Sequence, residues 1–309
     1  MTTALSEDTK GVFIISATPF LDDGTVDFES TDRLVDFYLE TRVHGVTLLG
    51  MMGEAPKLTH DESLQLVRRV IERVSARVPV VVGVSNPGLA NLAGFAKQVM
   101  DLGAAGVMVA PVPDLLTDEQ IYDYFSRLCE QLGADIPVCY QDYPQATNSN
   151  MSVATFNRLV DDFAQLVVLK HEDCPGLRKL SRIREQAERD GRRRVSILVG
   201  NGGLYLPQEL ARGADGAMTG FAFPEMLVGV YERFAAGHAE GAEDLYDAYL
   251  PLVRYEQQPG FGLAVRKEIL RRRGIIRSAV TRAPGPRLDQ NDHRELDHLL
   301  ARLQRKLRG

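Results

Sequence analysis

The sequence has 309 residues, of which 44% are hydrophobic and 25% are charged, and its formal net charge is −6. These values predict a globular chain of one large domain or two modest ones, and the acidic balance argues against nucleic acid as the main partner. The apolar runs are far shorter than the ~20 residues that a transmembrane helix needs, and residues 1–10 lack the apolar stretch of a secretory signal, so we expect a cytoplasmic protein with no membrane partner.

Short runs of β-branched and other apolar residues alternate along the chain with longer segments of helical periodicity. Eight of these runs are predicted β-strands: Gly11–Thr18, Gly45–Gly50, Val78–Val84, Gly106–Pro111, Ile136–Tyr140, Leu166–Lys170, Val195–Gly200 and Gly213–Thr219. Most of the runs are uniformly apolar, which is typical of parallel strands that are covered by helices. Between them, Thr59–Glu62 and Thr117–Gln120 match the capping box that opens a helix.

Eight strand–helix units predict a single (β/α)8 TIM barrel, an α/β fold, formed by residues 1–237. An open doubly wound sheet is the alternative, but no GxGxxG sequence follows the first strand. Residues 238–309 contain three further helical segments, Ala239–Gln257, Gly262–Arg273 and His293–Arg308. We expect these additional C-terminal helices to pack on the barrel as part of one structural unit.

The sixth predicted strand ends in Lys170, at the end of the barrel where the active sites of this fold lie. A lysine amine is a nucleophile only when it is neutral, and enclosure by apolar residues favours the neutral form. Such an amine forms an imine with a ketone. The alternative is a structural ion pair between Lys170 and Glu172 or Asp173, and the position of the lysine alone does not separate the two interpretations.

Two other predicted strand ends carry residues of chemical interest. The fifth strand ends at Tyr140, whose phenol can both donate and accept a proton, although a tyrosine at a strand end is more often a packing residue. The second strand is followed by Gly50–Glu54, with the sequence GMMGE, and such a turn can direct backbone N–H groups at a carboxylate. A plain tight turn is the alternative interpretation of this segment.

These three features, in this order and spacing, resemble the dihydrodipicolinate synthase/N-acetylneuraminate lyase family of Schiff-base aldolases and dehydratases. The resemblance covers residues 11–282 and implies that Lys170 forms the imine and that Tyr140 relays protons. It also implies a substrate-binding turn after the second strand and two residues that line the imine pocket. The residues implied at the turn are Met51, Met52, Gly53 and Glu54, and those at the imine are Gly200 and Met218. Because a lysine of the protein supplies the chemistry, the resemblance implies no cofactor and no metal.

Several positions depart from the pattern of the dihydrodipicolinate synthases. Met51-Met52 stand where those enzymes have two threonines, Val112-Pro113 replaces a pair of tyrosines, and no arginine for a second carboxylate follows Pro144. The Gln141-Asp142 segment is similar instead to L-2-keto-3-deoxyarabonate dehydratase and its sugar-acid relatives. Tyr143 is a second candidate for the proton relay, since the tyrosine motif is one residue longer than usual.

We therefore predict a Schiff-base-forming lyase, an aldolase or a dehydratase, that acts on pyruvate or on a 2-keto-3-deoxy sugar acid. In this hypothesis Lys170 attacks C2, and the protonated imine makes C3 acidic. The enamine then breaks or forms the C3–C4 bond, or expels the C4 hydroxyl as water. Asp142, Glu172 and Asn201 are candidates for holding substrate hydroxyls, or are structural hydrogen-bonding residues.

Three alternatives stay open. The first is dihydrodipicolinate synthase activity, with pyruvate and aspartate semialdehyde as substrates, and the second is a barrel that binds a keto acid without turnover. The third is a metal-dependent aldolase with His171, Glu172 and Asp173 as ligands, but adjacent residues at a strand end alternate in direction and cannot all face one ion. The expected partner is a small 2-oxo acid, and the resemblance suggests a homodimer or a homotetramer.

Overall fold

The computed structural model describes residues 3–308 and contains a closed barrel of eight parallel strands in chain order. The strands are β1 (Gly11–Ile15), β2 (Gly45–Leu48), β3 (Val80–Gly83), β4 (Gly106–Val109), β5 (Val138–Asp142), β6 (Leu166–His171), β7 (Ser196–Val199) and β8 (Gly216–Thr219). Pairing of β1 with β8 completes the ring. The predicted barrel is therefore confirmed, and β5 and β6 extend beyond their predicted ends, to Asp142 and His171.

Within the described residues, twelve α-helices connect or follow the strands. They are α1 (Phe28–Glu40), α2 (His60–Val74), α3 (Leu89–Asp101), α4 (Asp118–Leu132), α5 (Pro144–Thr147), α6 (Val153–Asp162), α7 (Leu177–Arg189), α8 (Leu206–Ala211), α9 (Pro224–Ala235), α10 (Ala239–Glu256), α11 (Gly262–Arg272) and α12 (Gln290–Arg308). Both predicted capping boxes are present, at Thr59 before α2 and at Thr117 before α4. In each, the threonine hydroxyl accepts a hydrogen bond from the helix while an acidic or amide side chain bonds back to the threonine N–H.

The strands separate two layers of buried side chains. The larger layer packs between the strands and the helices, and the smaller one fills the barrel interior. Along β5, Cys139 belongs to the interior layer, whereas Tyr140 belongs to the outer one. Since successive side chains of a strand point to opposite faces, Gln141 points into the barrel and Asp142 points away from it. The strand register places Gln141 beside Lys170 of β6.

The three predicted C-terminal helical segments are also present, as α10, α11 and α12. Helix α10 packs against α9, α11 and α12, so these helices continue the packing of the barrel. The division of the chain at residue 237 remains a prediction. None of the helices in the described range combines the length and the apolar character that crossing a bilayer requires.

Candidate active site

Lys170 lies inside the barrel mouth, near the C-terminal end of β6, and is 3% exposed. Its Nζ lies 3.0 Å from Oε2 of Glu172, and Nε2 of Gln141 donates a hydrogen bond to the same oxygen at 2.7 Å. We call Lys170, Glu172 and Gln141 the mouth triad. The ion pair considered for Lys170 is therefore present, with Glu172 as the partner, while Asp173 pairs with Lys179. A proton passed from the ammonium to the carboxylate leaves the neutral amine that imine formation requires, so this ion pair is compatible with catalysis.

Apolar and sulfur-containing side chains fill the barrel interior below the mouth triad. Sγ of Cys139 lies 3.8 Å from Sδ of Met218, and both residues are fully buried. Burial raises the pKa of the Cys139 thiol to about 12, so this thiol is protonated at neutral pH and is not a competing nucleophile. Met218 belongs to this floor of the site, and its contact with an imine remains a prediction.

Tyr140 does not lie in the barrel mouth. It is fully buried on the helix side of β5, where its ring packs against Phe125 of α4 at a centroid distance of 4.3 Å. Burial, and after it the charges of Asp142 and Asp118, raises the pKa of its phenol well above the usual value. The expectation that Tyr140 relays protons at the imine is therefore wrong. Because Tyr140 lies within β5 and follows the inward-facing Cys139, the alternation of side chains turns it outward.

Replacement of Tyr140 by phenylalanine is expected to leave turnover within about twofold of the wild type, because the phenol does not reach the reacting atoms. Among the described residues the Tyr140 hydroxyl has no hydrogen-bond partner. Removing a buried unsatisfied hydroxyl is expected to leave the free energy of unfolding unchanged or to raise it by about 1 kcal/mol. Steady-state kinetics and urea unfolding of the Tyr140→Phe protein test both statements. A hundredfold loss of turnover in a stable protein would return Tyr140 to the mechanism.

Asp142 also faces away from the mouth, and it is fully buried. Its Oδ2 lies 2.7 Å from Nζ of Lys179 on α7 and 3.4 Å from Nδ1 of His171. Burial lowers the pKa of His171, but the hydrogen bond to Asp142 and the charge of this carboxylate outweigh that effect and raise the pKa overall. The expected contact of Asp142 with a substrate hydroxyl is therefore wrong. His171 and Glu172 contact groups on opposite sides of the barrel wall, so their side chains do not converge.

The turn after β2 is a short 3-10 helix that spans Met51–Gly53. Its hydrogen bonds to the carbonyl groups of Gly50 and Met51 use the later N–H groups of the turn, and the first N–H groups of such a turn have no partner inside it. Met51 is 42% exposed, and Met52 packs against the barrel interior. The N–H groups of Met51 and Met52 therefore remain the candidates for binding the substrate carboxylate.

Glu54, the last residue of the motif, does not serve the mouth. Its carboxylate is 1% exposed and lies 2.5 Å from Nζ of Lys267 and 2.8 Å from Nζ of Lys57. It also accepts a hydrogen bond from the backbone N–H of Arg282 at 3.0 Å. The expectation that Glu54 contacts the substrate is wrong, because both carboxylate oxygens are already bound by protein groups.

The segment after β7 leaves space for Glu172. A Cβ added to Gly200 would lie 2.1 Å from Cγ of Glu172, so any side chain at this position displaces the glutamate. Asn201 has a left-handed backbone conformation, with φ of 50°, and its Nδ2 donates to the carbonyl oxygen of Glu172 at 3.1 Å. Both predicted residues thus lie beside the mouth triad, and their contacts with a substrate remain predictions.

No role was predicted for Gln141 from the sequence, although its side chain completes the mouth triad. The available signal was strand alternation: Gln141 is two residues beyond Cys139, so a strand that continues past Tyr140 turns it inward. Tyr143 follows the end of β5 and is half-buried. Burial and then the nearby charge of Glu172 raise the pKa of the Tyr143 phenol, so Tyr143 stays a candidate for the proton relay.

A cavity of about 850 Å³ opens at the carboxyl ends of β2–β5 and includes Gln141 in its wall. The wall residues nearest the strands are Gly50, Met51, Gly83, Met108, Ala110 and Gln141. Among the described residues that line the cavity, none is lysine, arginine, aspartate or glutamate. Neutral polar groups such as Ser85 and Asn86 line it instead, and these suit hydroxyl groups better than a second carboxylate.

Comparison with known proteins identifies the family of the chain. The model of the dihydrodipicolinate synthetase family matches residues 8–303 of the chain. The chain belongs to the dihydrodipicolinate synthetase family. The protein is accordingly an enzyme, a class I lyase. The family predicted from the sequence motifs is confirmed.

The relatives of this family member differ in function. L-2-keto-3-deoxyarabonate dehydratase of Azospirillum brasilense is 31% identical over 98% of this chain and 97% of its own length. The crystal structure of a dihydrodipicolinate synthase from Rhodopseudomonas palustris is 48% identical, with a TM-score of 0.95 over 97% of this chain and 100% of that one. 4-Hydroxy-tetrahydrodipicolinate synthase of Enterococcus faecalis is 28% identical over 79% of this chain and 83% of its own length.

Proposed function

We propose that this family member is a dehydratase of 2-keto-3-deoxy sugar acids and that Lys170 forms the imine with the substrate. The observation that supports this proposal best is the buried Glu172 carboxylate, 3.0 Å from the amine of Lys170 and held in place by Gln141. Dehydration requires one group near the imine that removes a proton from C3 and returns a proton to the departing hydroxyl. A carboxylate can do both, and Glu172 is the ionisable group in contact with Lys170.

The reaction begins when the Lys170 amine, having given a proton to Glu172, attacks C2 of the keto acid. The carbinolamine hydroxyl takes the proton that Glu172 holds and leaves as water, which gives a protonated imine that draws electrons from C3 and restores the Glu172 carboxylate. Glu172 then removes a C3 proton, and the resulting enamine expels the C4 hydroxyl, which takes up a proton and leaves as water. Hydrolysis of the unsaturated imine releases the product and restores the amine. Gln141 donates to the Glu172 carboxylate throughout and so fixes its direction.

Substrate binding in this proposal uses the two ends of the site. The carboxylate of the keto acid accepts hydrogen bonds from the backbone N–H groups of Met51 and Met52. Such contacts need no threonine hydroxyl. The hydroxyl-bearing carbons extend into the cavity, where Ser85 and Asn86 are available. Gly200 keeps the space that Glu172 needs, and Asn201 is the nearest candidate for a further hydroxyl contact.

Dihydrodipicolinate synthase activity is the second candidate, and the 48% identity to the Rhodopseudomonas palustris protein favours it. That reaction joins pyruvate to an aldehyde that carries its own carboxylate. The cavity wall offers no lysine or arginine among the described residues, and the phenol of Tyr140 faces the helices. The lack of a lysine or arginine among the described wall residues favours a substrate with a neutral, hydroxylated end over one with a second negative charge.

Turnover of a defined substrate panel tests the choice between these two reactions. With 2-keto-3-deoxy pentonates and hexonates we expect loss of water. The product is detected by its ultraviolet absorbance or by its mass. With pyruvate and aspartate semialdehyde we expect a kcat/KM lower by roughly 10²-fold or more, because the second carboxylate finds no cation. Faster condensation than dehydration would contradict the dehydratase assignment and support the synthase.

A homodimer or a homotetramer is part of this proposal, since the dihydrodipicolinate synthetase family suggests such assemblies. Val112-Pro113 lies in the loop after β4 in place of a pair of tyrosines, so the contact between subunits would differ there. Analytical ultracentrifugation of the full chain gives the state directly. The cytoplasmic location remains a prediction from the sequence.

A further inference from the structure

Helix α11, remote in sequence from the barrel mouth, is bonded to the turn that follows β2. Lys267 of α11 is fully buried, and its Nζ lies 2.5 Å from Oε1 of Glu54, across 213 positions of the chain. Glu54 is the residue immediately after the Met51–Gly53 turn, and its own N–H bonds back to the Met51 carbonyl. A displacement of Glu54 is therefore transmitted directly to the backbone of this turn.

The other contacts of Lys267 make it a rigid support. Its Nζ also donates to the carbonyl of Val280 at 2.9 Å and lies 4.5 Å from the centre of the Phe20 ring. Burial lowers the pKa of Lys267 to about 8, so the ammonium is still mainly protonated at pH 7 and the pair with Glu54 is charged. Removing one partner of such a buried pair leaves the other charge without full compensation.

The turn itself is supported on two flanks. Its first residue is preceded by Gly50, which supplies no side-chain cap, and Gly53 is held from the opposite side by a hydrogen bond from Thr18 to its carbonyl at 2.6 Å. Thr18 and Lys267 thus hold the two flanks of the turn. Lys57 also binds Glu54, and its Nζ donates to the carbonyl of Arg282 at 2.7 Å, so the C-terminal segment holds Glu54 through Lys57 and the Arg282 N–H as well as through Lys267.

We propose that Lys267 is a positioning residue for substrate binding, which fixes the turn whose Met51 and Met52 N–H groups receive the carboxylate of the 2-oxo acid. This inference rests on the proposed function, because it takes the turn to be the carboxylate site. It assigns the C-terminal helices a part in substrate affinity beyond packing. Lys267 itself touches no reacting atom, so its loss affects binding more than chemistry.

The test measures the pyruvate dependence of the adduct that borohydride traps on Lys170, by mass spectrometry of the full chain at pH 7. For Lys267→Met we expect the half-saturating pyruvate concentration to rise by on the order of tenfold, since small displacements of a binding group have effects of this size or larger. The yield at saturating pyruvate is expected to stay near that of the wild type. Lys267→Arg keeps the charge and is expected to restore part of the affinity.

Arg184→Met is the matched control, because Arg184 pairs with Asp215 at 2.5 Å at the opposite end of the barrel. It is expected to lower stability without changing the half-saturating concentration. If Lys267→Met does the same, the inference is overturned and Lys267 is a structural anchor only. Should Lys267→Met fail to fold, Glu54→Gln carries the same test, as the amide keeps the shape and loses the charge. An adduct on wild-type Lys170 checks the proposed function separately, and its absence would overturn both.

Discussion

Replacement of Lys170 by methionine is expected to abolish imine formation and to lower kcat by roughly 10³-fold or more, because no other nucleophile lies at the position of the amine. The described structure places Lys170 alone among the lysines in the barrel mouth with Glu172, while the buried Lys179 and Lys267 pair with Asp142 and Glu54 elsewhere. The measurement is borohydride trapping with pyruvate, followed by peptide mapping of the modified residue. The wild-type adduct is expected on Lys170.

Lys170→Arg separates the nucleophile from the charge. Arginine can keep an ion pair with Glu172 but cannot lose its proton, so it should fold well and form no adduct. Lys179→Arg is the matched control at a second buried lysine, on the helix side of β6, and it should retain the adduct on Lys170. Turnover that survives in Lys170→Arg, or a wild-type adduct on Lys179, would refute the Schiff-base mechanism for this site.

The second large effect is expected for Glu172→Gln. The amide keeps the shape of the glutamate but can neither accept the C3 proton nor return it to the leaving hydroxyl, so kcat should fall by roughly 10²–10⁴-fold. Imine formation should also slow, because Glu172 takes the proton of Lys170, whereas binding of the substrate carboxylate at the turn after β2 should be unchanged. Single-turnover experiments that follow both the trapped adduct and the release of water separate the two steps.

Gln141→Leu and Tyr143→Phe serve as controls for the Glu172 result. The Gln141 amide only directs the carboxylate, through the 2.7 Å hydrogen bond, so its loss should lower kcat by less than the loss of Glu172 does. Tyr143 lies near Glu172. If kcat falls as far in Tyr143→Phe as in Glu172→Gln, the proton relay is the phenol in place of the carboxylate. An unchanged kcat in Glu172→Gln would contradict the dehydration mechanism proposed above.

The fold and the position of the central lysine were predictable because each depends on local sequence. Apolar runs of five to eight residues, separated by helical periodicity, specify parallel strands with helices outside, and the barrel follows from their number. Lys170 was recognised for the same reason, as a charged residue at the end of an apolar run. The capping boxes at Thr59 and Thr117 likewise need only residues three positions apart.

The errors arose where one residue of strand length decides which way a side chain points. Ending β5 at Tyr140 directed attention to the phenol, whereas continuing it to Asp142 turns Tyr140 and Asp142 outward and Gln141 inward. Tyr140 follows strand alternation only if it lies within β5, so the point at which the strand ends decides which face its side chain takes. The apolar runs alone do not fix that end.

The sequence by itself determined the barrel, the family and the lysine at the mouth, because these follow from patterns that are local along the chain. Only the tertiary structure decided the partners of that lysine and those of Glu54. Glu172 meets Gln141 from a neighbouring strand, and Glu54 meets Lys267 from a helix 213 positions away. Such charged contacts form because a buried carboxylate needs compensation, and which distant residue supplies it depends on packing that no local pattern encodes.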